Sequence, residues 1–112
     1  MQAGAPELPV PDWEALPSPD DLARYYPTRA QVLGQQGSAA IGCTVTAAGG
    51  LADCVVLSEV PTDYGFGQAA LRMSVLFKVR TVRQDGSSAV GATVRVPIRF
   101  SLGAALVTDP IY

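Results

Sequence analysis

The stretch IGCTVTAAGGLADCVVL, Ile41 to Leu57, holds both of the chain's cysteines, one on each side of a glycine-bearing turn. Ile41, Cys43 and Val45 alternate with Gly42, Thr44 and Thr46, the period-2 pattern of a half-buried strand. Leu51 to Glu59 is rich in Val and Leu and is bounded by Pro61, so it reads as a second strand. Between them, Ala47-Ala48-Gly49-Gly50 supplies residues that tolerate a positive φ, as a tight hairpin requires. A symmetric hairpin centred between Ala48 and Gly49 sets Cys43 directly opposite Cys54. It also sets Ile41 and Val45 opposite Val56 and Ala52, giving one wholly apolar face. Opposed Cβ atoms lie about 4.5–5.5 Å apart, close to the span of a disulfide, although a bulge in the turn would shift the register by one. The pair therefore reads as a disulfide, with two buried thiols as the alternative. A metal site fails for want of ligands, since the chain has no His and no third Cys. A disulfide implies an oxidising compartment.

Length and composition agree with a secreted globule. The 112 residues suit one domain with a single modest core, and 48% hydrophobic with 16% charged residues argues for packing rather than disorder. A formal net charge of −2 and no dense basic patch argue against nucleic acid. No apolar run approaches the roughly 20 residues of a membrane span. The opening MQAGAP reads as a start codon placed on a mature N-terminus, from which a signal or anchor has been removed.

Working outward, residues 1–17 are proline-rich and read as an extended, loosely held lead-in with Trp13 as its anchor. Ser18, Pro19, Asp20 and Asp21 form a helix start: N-cap, proline at the first helical position, and acids at the positive end of the dipole. Pro27 stops that helix and opens another, PTRAQVLG, closed by Gly34. FGQAALRMSVLF puts Phe66, Ala69, Ala70, Met73 and Phe77 at helical spacing, and Met73 reads as core filling. After a turn at QDGSS, the run TVRVPIRFSL alternates without a slip. Val94, Val96, Ile98, Phe100 and Leu102 point inward, and Thr93, Arg95, Pro97, Arg99 and Ser101 outward. Pro97 cannot donate to a ladder, so this strand belongs at an edge. The fold class is α+β: a small antiparallel β-sheet, made of the hairpin and the C-terminal edge strand, packed against one long helix, with short helices before it.

Taken in order, Tyr26-Pro27 followed by Arg29 and Ala30, Gly37 leading into a strand, the Gly49 hairpin, Ser58 with Pro61, Ala70 in the helix and a closing strand ending in Phe100 resemble the C-terminal domain of TonB-family energy transducers. The resemblance covers about residues 25–102. It divides the chain into a lead-in (1–17), the TonB C-terminal-like domain (18–102) and a tail (103–112). There are departures. Tyr25 stands where many members have Gln, Val79-Arg80-Thr81-Val82 replaces a basic-aromatic stretch, and cysteines are not a general family feature. The 112 residues also contain neither the membrane anchor nor the long proline-rich spacer that such transducers carry.

The resemblance implies a periplasmic, non-enzymatic domain that grips a short peptide of an outer-membrane TonB-dependent receptor and passes on force from a proton-driven motor. The expected mechanism is strand addition, in which an extended peptide pairs with an open sheet edge. The expected edge is about 92–102. Arg95 and Arg99 flank Pro97 on its outward face, where they can meet an acidic peptide or simply keep the edge soluble. Tyr26, Pro27 and Arg29 match the family stretch that lies near the bound peptide; alternatively, Tyr26-Pro27 is a packed aromatic and a helix stop. The same edge permits a homodimer. The competing reading is a free periplasmic interaction module with this fold and no motor link. An enzyme is disfavoured, since the chain lacks His and any nucleophile–base constellation, and no cofactor or small-molecule substrate is expected.

Overall fold

The central element of the main sheet is β2 (Gly37–Val45), flanked by β3 (Leu51–Val60) and β5 (Thr93–Phe100), both antiparallel to it. The structure is a computed structural model that describes residues 8–102, so the expectations for MQAGAP and the 103–112 tail lie outside the described residues. β2 and β5 pair without a slip from Thr44–Thr93 to Gly37–Phe100. β5 therefore lies at an edge, where Pro97 has no ladder bond to lose.

The hairpin departs from the symmetric expectation. Thr46 N–H donates to the Gly50 carbonyl at 3.0 Å and Gly49 N–H to that of Thr46 at 2.9 Å, with Gly49 at φ 89°. This turn is centred on Ala48, so Val45 faces Leu51 and Ala52 faces Thr44. Ala52 thus does not join the apolar face of Val45. A bulge around Asp53, itself left-handed at φ 53°, restores the expected pairing of Gly42 with Val55 and Ile41 with Val56. A second irregularity sets Ala40 opposite Ser58. Cys43 and Cys54 meet inside the first bulge with Cα atoms 4.2 Å apart and are joined as a disulfide.

Ser18 caps α1 (Pro19–Tyr25). Its hydroxyl accepts from Asp21 N–H while the Asp21 carboxylate accepts from Ser18 N–H, a reciprocal capping box. α2 (Thr28–Leu33) ends on Gly34 at φ 70°. The single long helix is not found. α3 spans Phe66–Met73 and tightens into a 3₁₀ turn at Ser74–Leu76, leaving Phe77 in extended backbone. Ser74 explains the break: its hydroxyl donates back to the Leu71 carbonyl at 2.7 Å, a local bond that competes with continued helix, and the β-branched Val75 follows.

α3 covers the inner face of the sheet. Gly67 lies against β3 so closely that a Cβ there would be 3.0 Å from a Val56 methyl, and its N–H donates to the Glu59 carboxylate at 2.7 Å. The core gathers around Phe66, whose ring lies 5.0 Å from Phe100 and 5.9 Å from Tyr26. Ile41, Val45, Met73 and Val96 extend it.

A second sheet went unpredicted. β1 (Trp13–Ala15) pairs with β4 (Lys78–Val79), and the Trp13 ring packs 5.0 Å from Phe77. Within the described residues, the lead-in is thus tied down rather than free.

Candidate functional site: the β5 edge

In an antiparallel strand, main-chain groups point alternately to either side. Arg95 N–H points away from β2 and donates to the Pro9 carbonyl at 2.8 Å. By that alternation Thr93, Pro97 and Arg99 also turn their main-chain groups to the open side, while Val94, Val96, Ile98 and Phe100 turn theirs to β2. Pro97 contributes only a carbonyl there. The open edge beyond Arg95 is therefore an acceptor at Pro97 followed by donor and acceptor at Arg99, a short template for one more strand.

Arg95, Pro97 and Arg99 come together on one side of the sheet. They line one shallow groove with Ser38, Ala40 and Ser58 on the sheet face opposite α3. Small residues on β2 and β3 keep this face low between the arginines on one side and the exposed Leu57 and Val60 on the other. The sole ion pair among the described residues joins Arg24 to Asp21, so within them neither Arg95 nor Arg99 is neutralised by a carboxylate. The groove continues past Arg99 and Ser101 to Gln36, whose side-chain oxygen accepts from Ser101 Oγ at 3.1 Å and Leu102 N–H at 3.0 Å.

Tyr26, Pro27 and Arg29 stand apart from the arginine groove. Tyr26 is 6% exposed, its hydroxyl donates to the Gln35 carbonyl, and its ring packs edge-on against Phe100 at 5.7 Å. Burial raises its phenol pKa above the ordinary value. Its place favours the packed-aromatic alternative, although Tyr26 also walls a cleft with Ser101 and Leu102 at the far end of β5. Pro27 is buried between α1 and α2. Arg29 is exposed. It donates to the Asp63 carbonyl at 3.0 Å and lies 5.2 Å over the Tyr64 ring, so it braces the loop after β3.

Two contributors escaped the sequence reading. Gln36 carries no motif. Leu8 and Pro9 lie in a stretch read only as an extended lead-in, yet the Leu8 side chain approaches to 3.4 Å of where a Cβ on Gly42 would sit. The available signal was Leu8-Pro9-Val10-Pro11: proline at every second place fixes an extended chain that can accept hydrogen bonds but has few donors. Among the described residues no group of three or more acids or cysteines forms a cation cage.

Residues 23–102 match the family described as Gram-negative bacterial TonB protein C-terminal. The chain belongs to this TonB C-terminal family. An uncharacterized protein of Caulobacter vibrioides is 39% identical over 64 residues, which are 57% of this chain and 64% of that protein's length. The TonB C-terminal domain of Pseudomonas aeruginosa, solved by solution NMR, superposes with a TM-score of 0.53 and 22% identity, covering 76% of this chain and 79% of that one. At that identity the likeness speaks for the fold alone. The α+β arrangement of small antiparallel sheets and helices is thus the TonB C-terminal fold.

Proposed function

We propose that this domain is the periplasmic, peptide-gripping part of a TonB-like energy transducer. It takes a short N-terminal segment of an outer-membrane TonB-dependent receptor as an added strand on β5 and passes pulling force to it. The observation that carries this reading is the open edge of β5 in a chain of the TonB C-terminal family. Main-chain groups of Pro97 and Arg99 supply the pairing. The guanidinium groups of Arg95 and Arg99 beside them favour acidic residues in the incoming strand. A strand pulled along its own axis loads its hydrogen bonds in parallel, which suits the transmission of force better than a patch that peels bond by bond.

The mechanism is non-enzymatic, and the Cys43–Cys54 disulfide is in keeping with an oxidising, periplasmic setting. The test is amide chemical-shift perturbation on titrating synthetic N-terminal plug peptides of outer-membrane receptors. Shifts concentrated on Thr93 to Leu102 are expected. Arg99→Pro removes an open-side N–H without touching the bonds to β2, so it should weaken binding and leave the β2 amides in place. Arg99→Glu keeps the backbone and should lower affinity for acidic peptides, more so at low salt. Absence of shifts with every peptide, in a folded domain, refutes the reading.

A further inference from the structure

The edge of β5 is already partly occupied by the chain itself. Leu8 to Asp12 passes its start: the Pro9 carbonyl takes the Arg95 N–H at 2.8 Å, and the segment then leaves β5 for the end of β4, where the Asp12 carbonyl takes the Arg80 N–H at 2.9 Å. Leu8 folds over the rim onto Gly42, next to the Leu57 side chain, which approaches the same point to 3.3 Å. The hold is real but thin. Pro9 and Pro11 have no N–H, so the segment cannot complete a ladder, and its firm anchor begins only at Trp13, where β1 joins β4. An added strand running along the whole of β5 needs the Arg95 donor, and the Pro9 carbonyl already holds it.

We propose that Leu8–Asp12 is an internal competitor for the β5 edge, and that a receptor strand of full length binds by displacing it. This rests on the strand-addition reading above. It makes affinity depend on the fraction of time the segment is detached. A partner that requires the open form sees its dissociation constant multiplied by the inverse of that fraction. Pulling on the chain N-terminal to Trp13 would strip the segment from Arg95 and uncover the edge, which couples exposure of the docking site to tension.

The test uses the full chain and Leu8→Gly, which removes the packing on Gly42 and leaves the groove residues untouched. Leu8→Gly/Pro9→Gly serves as a second, looser variant. Hydrogen–deuterium exchange should find the Arg95 amide protected in the native chain and several-fold less so in the variants, with the Val96 and Ile98 amides unchanged. The same receptor plug peptides, titrated by fluorescence anisotropy, should bind the variants more tightly by about the factor of protection lost at Arg95. An unprotected Arg95 amide in the native chain overturns the proposal, as does equal binding by native chain and variants. Binding by none of the proteins overturns competition and the receptor reading together, whereas equal binding overturns competition alone.

Discussion

Gly37→Ala should be among the more damaging single-methyl additions to this domain. A Cβ at Gly37 would fall on the Val60 carbonyl oxygen and on the near edge of the Phe66 ring. Neither has room to give. Val60 is held at the end of β3 opposite Ser38, and Phe66 is fully buried against Phe100. Overpacking a core typically costs about 1–3 kcal/mol, and with backbone on one side and the central aromatic on the other the expected value is about 3 kcal/mol. Gly34→Ala is the comparison. Gly34 sits at φ 70° with nothing within 4 Å of the added methyl, so only left-handed strain remains, about 1–2 kcal/mol. Urea unfolding followed by far-UV circular dichroism should therefore give midpoints in the order native, Gly34→Ala, Gly37→Ala. At about 4–8 °C per kcal/mol, the two variants should melt roughly 5–15 °C apart. Equal midpoints, or a Gly37→Ala cost under about 0.5 kcal/mol, would refute the packing argument.

The disulfide closes a loop with a sequence separation of 11, so chain entropy gives it about 3 kcal/mol. Intact mass should lie two units below the reduced value, roughly one per thiol hydrogen lost, and titratable thiols in the native protein would contradict it. Phe77→Ala should cost about 3–5 kcal/mol, since the ring is 4% exposed and packs on Trp13, while Arg72→Ala on the solvent side of α3 should cost under about 0.5 kcal/mol. Hydrogen bonds from Ser18 N–H and hydroxyl contact, with help from Arg24, hold the Asp21 carboxyl below its ordinary pKa. A depressed folded pKa means stabilisation that is full above the unfolded value and fades as pH falls through the folded one. Acid titration should thus weaken the α1 cap in the native chain, and Asp21→Asn should remove that part of the pH dependence. Parallel acid melts for the two proteins would argue against it.

What the sequence disclosed, it disclosed where one physical requirement dominated. Val94 to Phe100 alternates because one face is core and the other solvent, and Pro97 fixes the edge because it has no donor to offer. Ser18 and Gly34 mark helix ends through side-chain and left-handed chemistry that needs no tertiary context. The misses arose where two local solutions compete. Ala47-Ala48-Gly49-Gly50 accepts either a symmetric turn or one centred on Ala48, and the choice is settled by the bulge that Asp53 can absorb. The apolar spacing of FGQAALRMSVLF continues past the helix because Phe77 is buried from an extended backbone as well as it would be from a helical one. β1 and β4 are too short to carry a period. Their pairing rests on Trp13 meeting Phe77 across the chain. At the site, the arginine–proline–arginine pattern was legible, whereas the covering of that edge by Leu8 and Pro9 was not, because prolines forbid a regular strand and leave only isolated acceptors.

An open edge is a hazard that a domain must manage, since any exposed strand can pair with it. Here the devices act at different points along β5. Pro97 removes one donor, so a generic strand loses a bond at the centre of the edge. Arg95 and Arg99 charge the rim, which disfavours a second copy presenting the same two arginines in antiparallel register and admits a strand carrying acids. Near the start of β5 the Pro9 carbonyl of the lead-in holds the Arg95 N–H, a contact that, under the proposed competition, an incoming strand displaces. Each device lowers promiscuous pairing, and each is of a kind that a specific partner can meet: a register that tolerates one missing donor, carboxylates for the guanidinium groups, and enough binding energy to displace a weakly held segment. If strand addition is the function, the selectivity of this edge resides less in what β5 offers than in what a strand must supply before it can pair there.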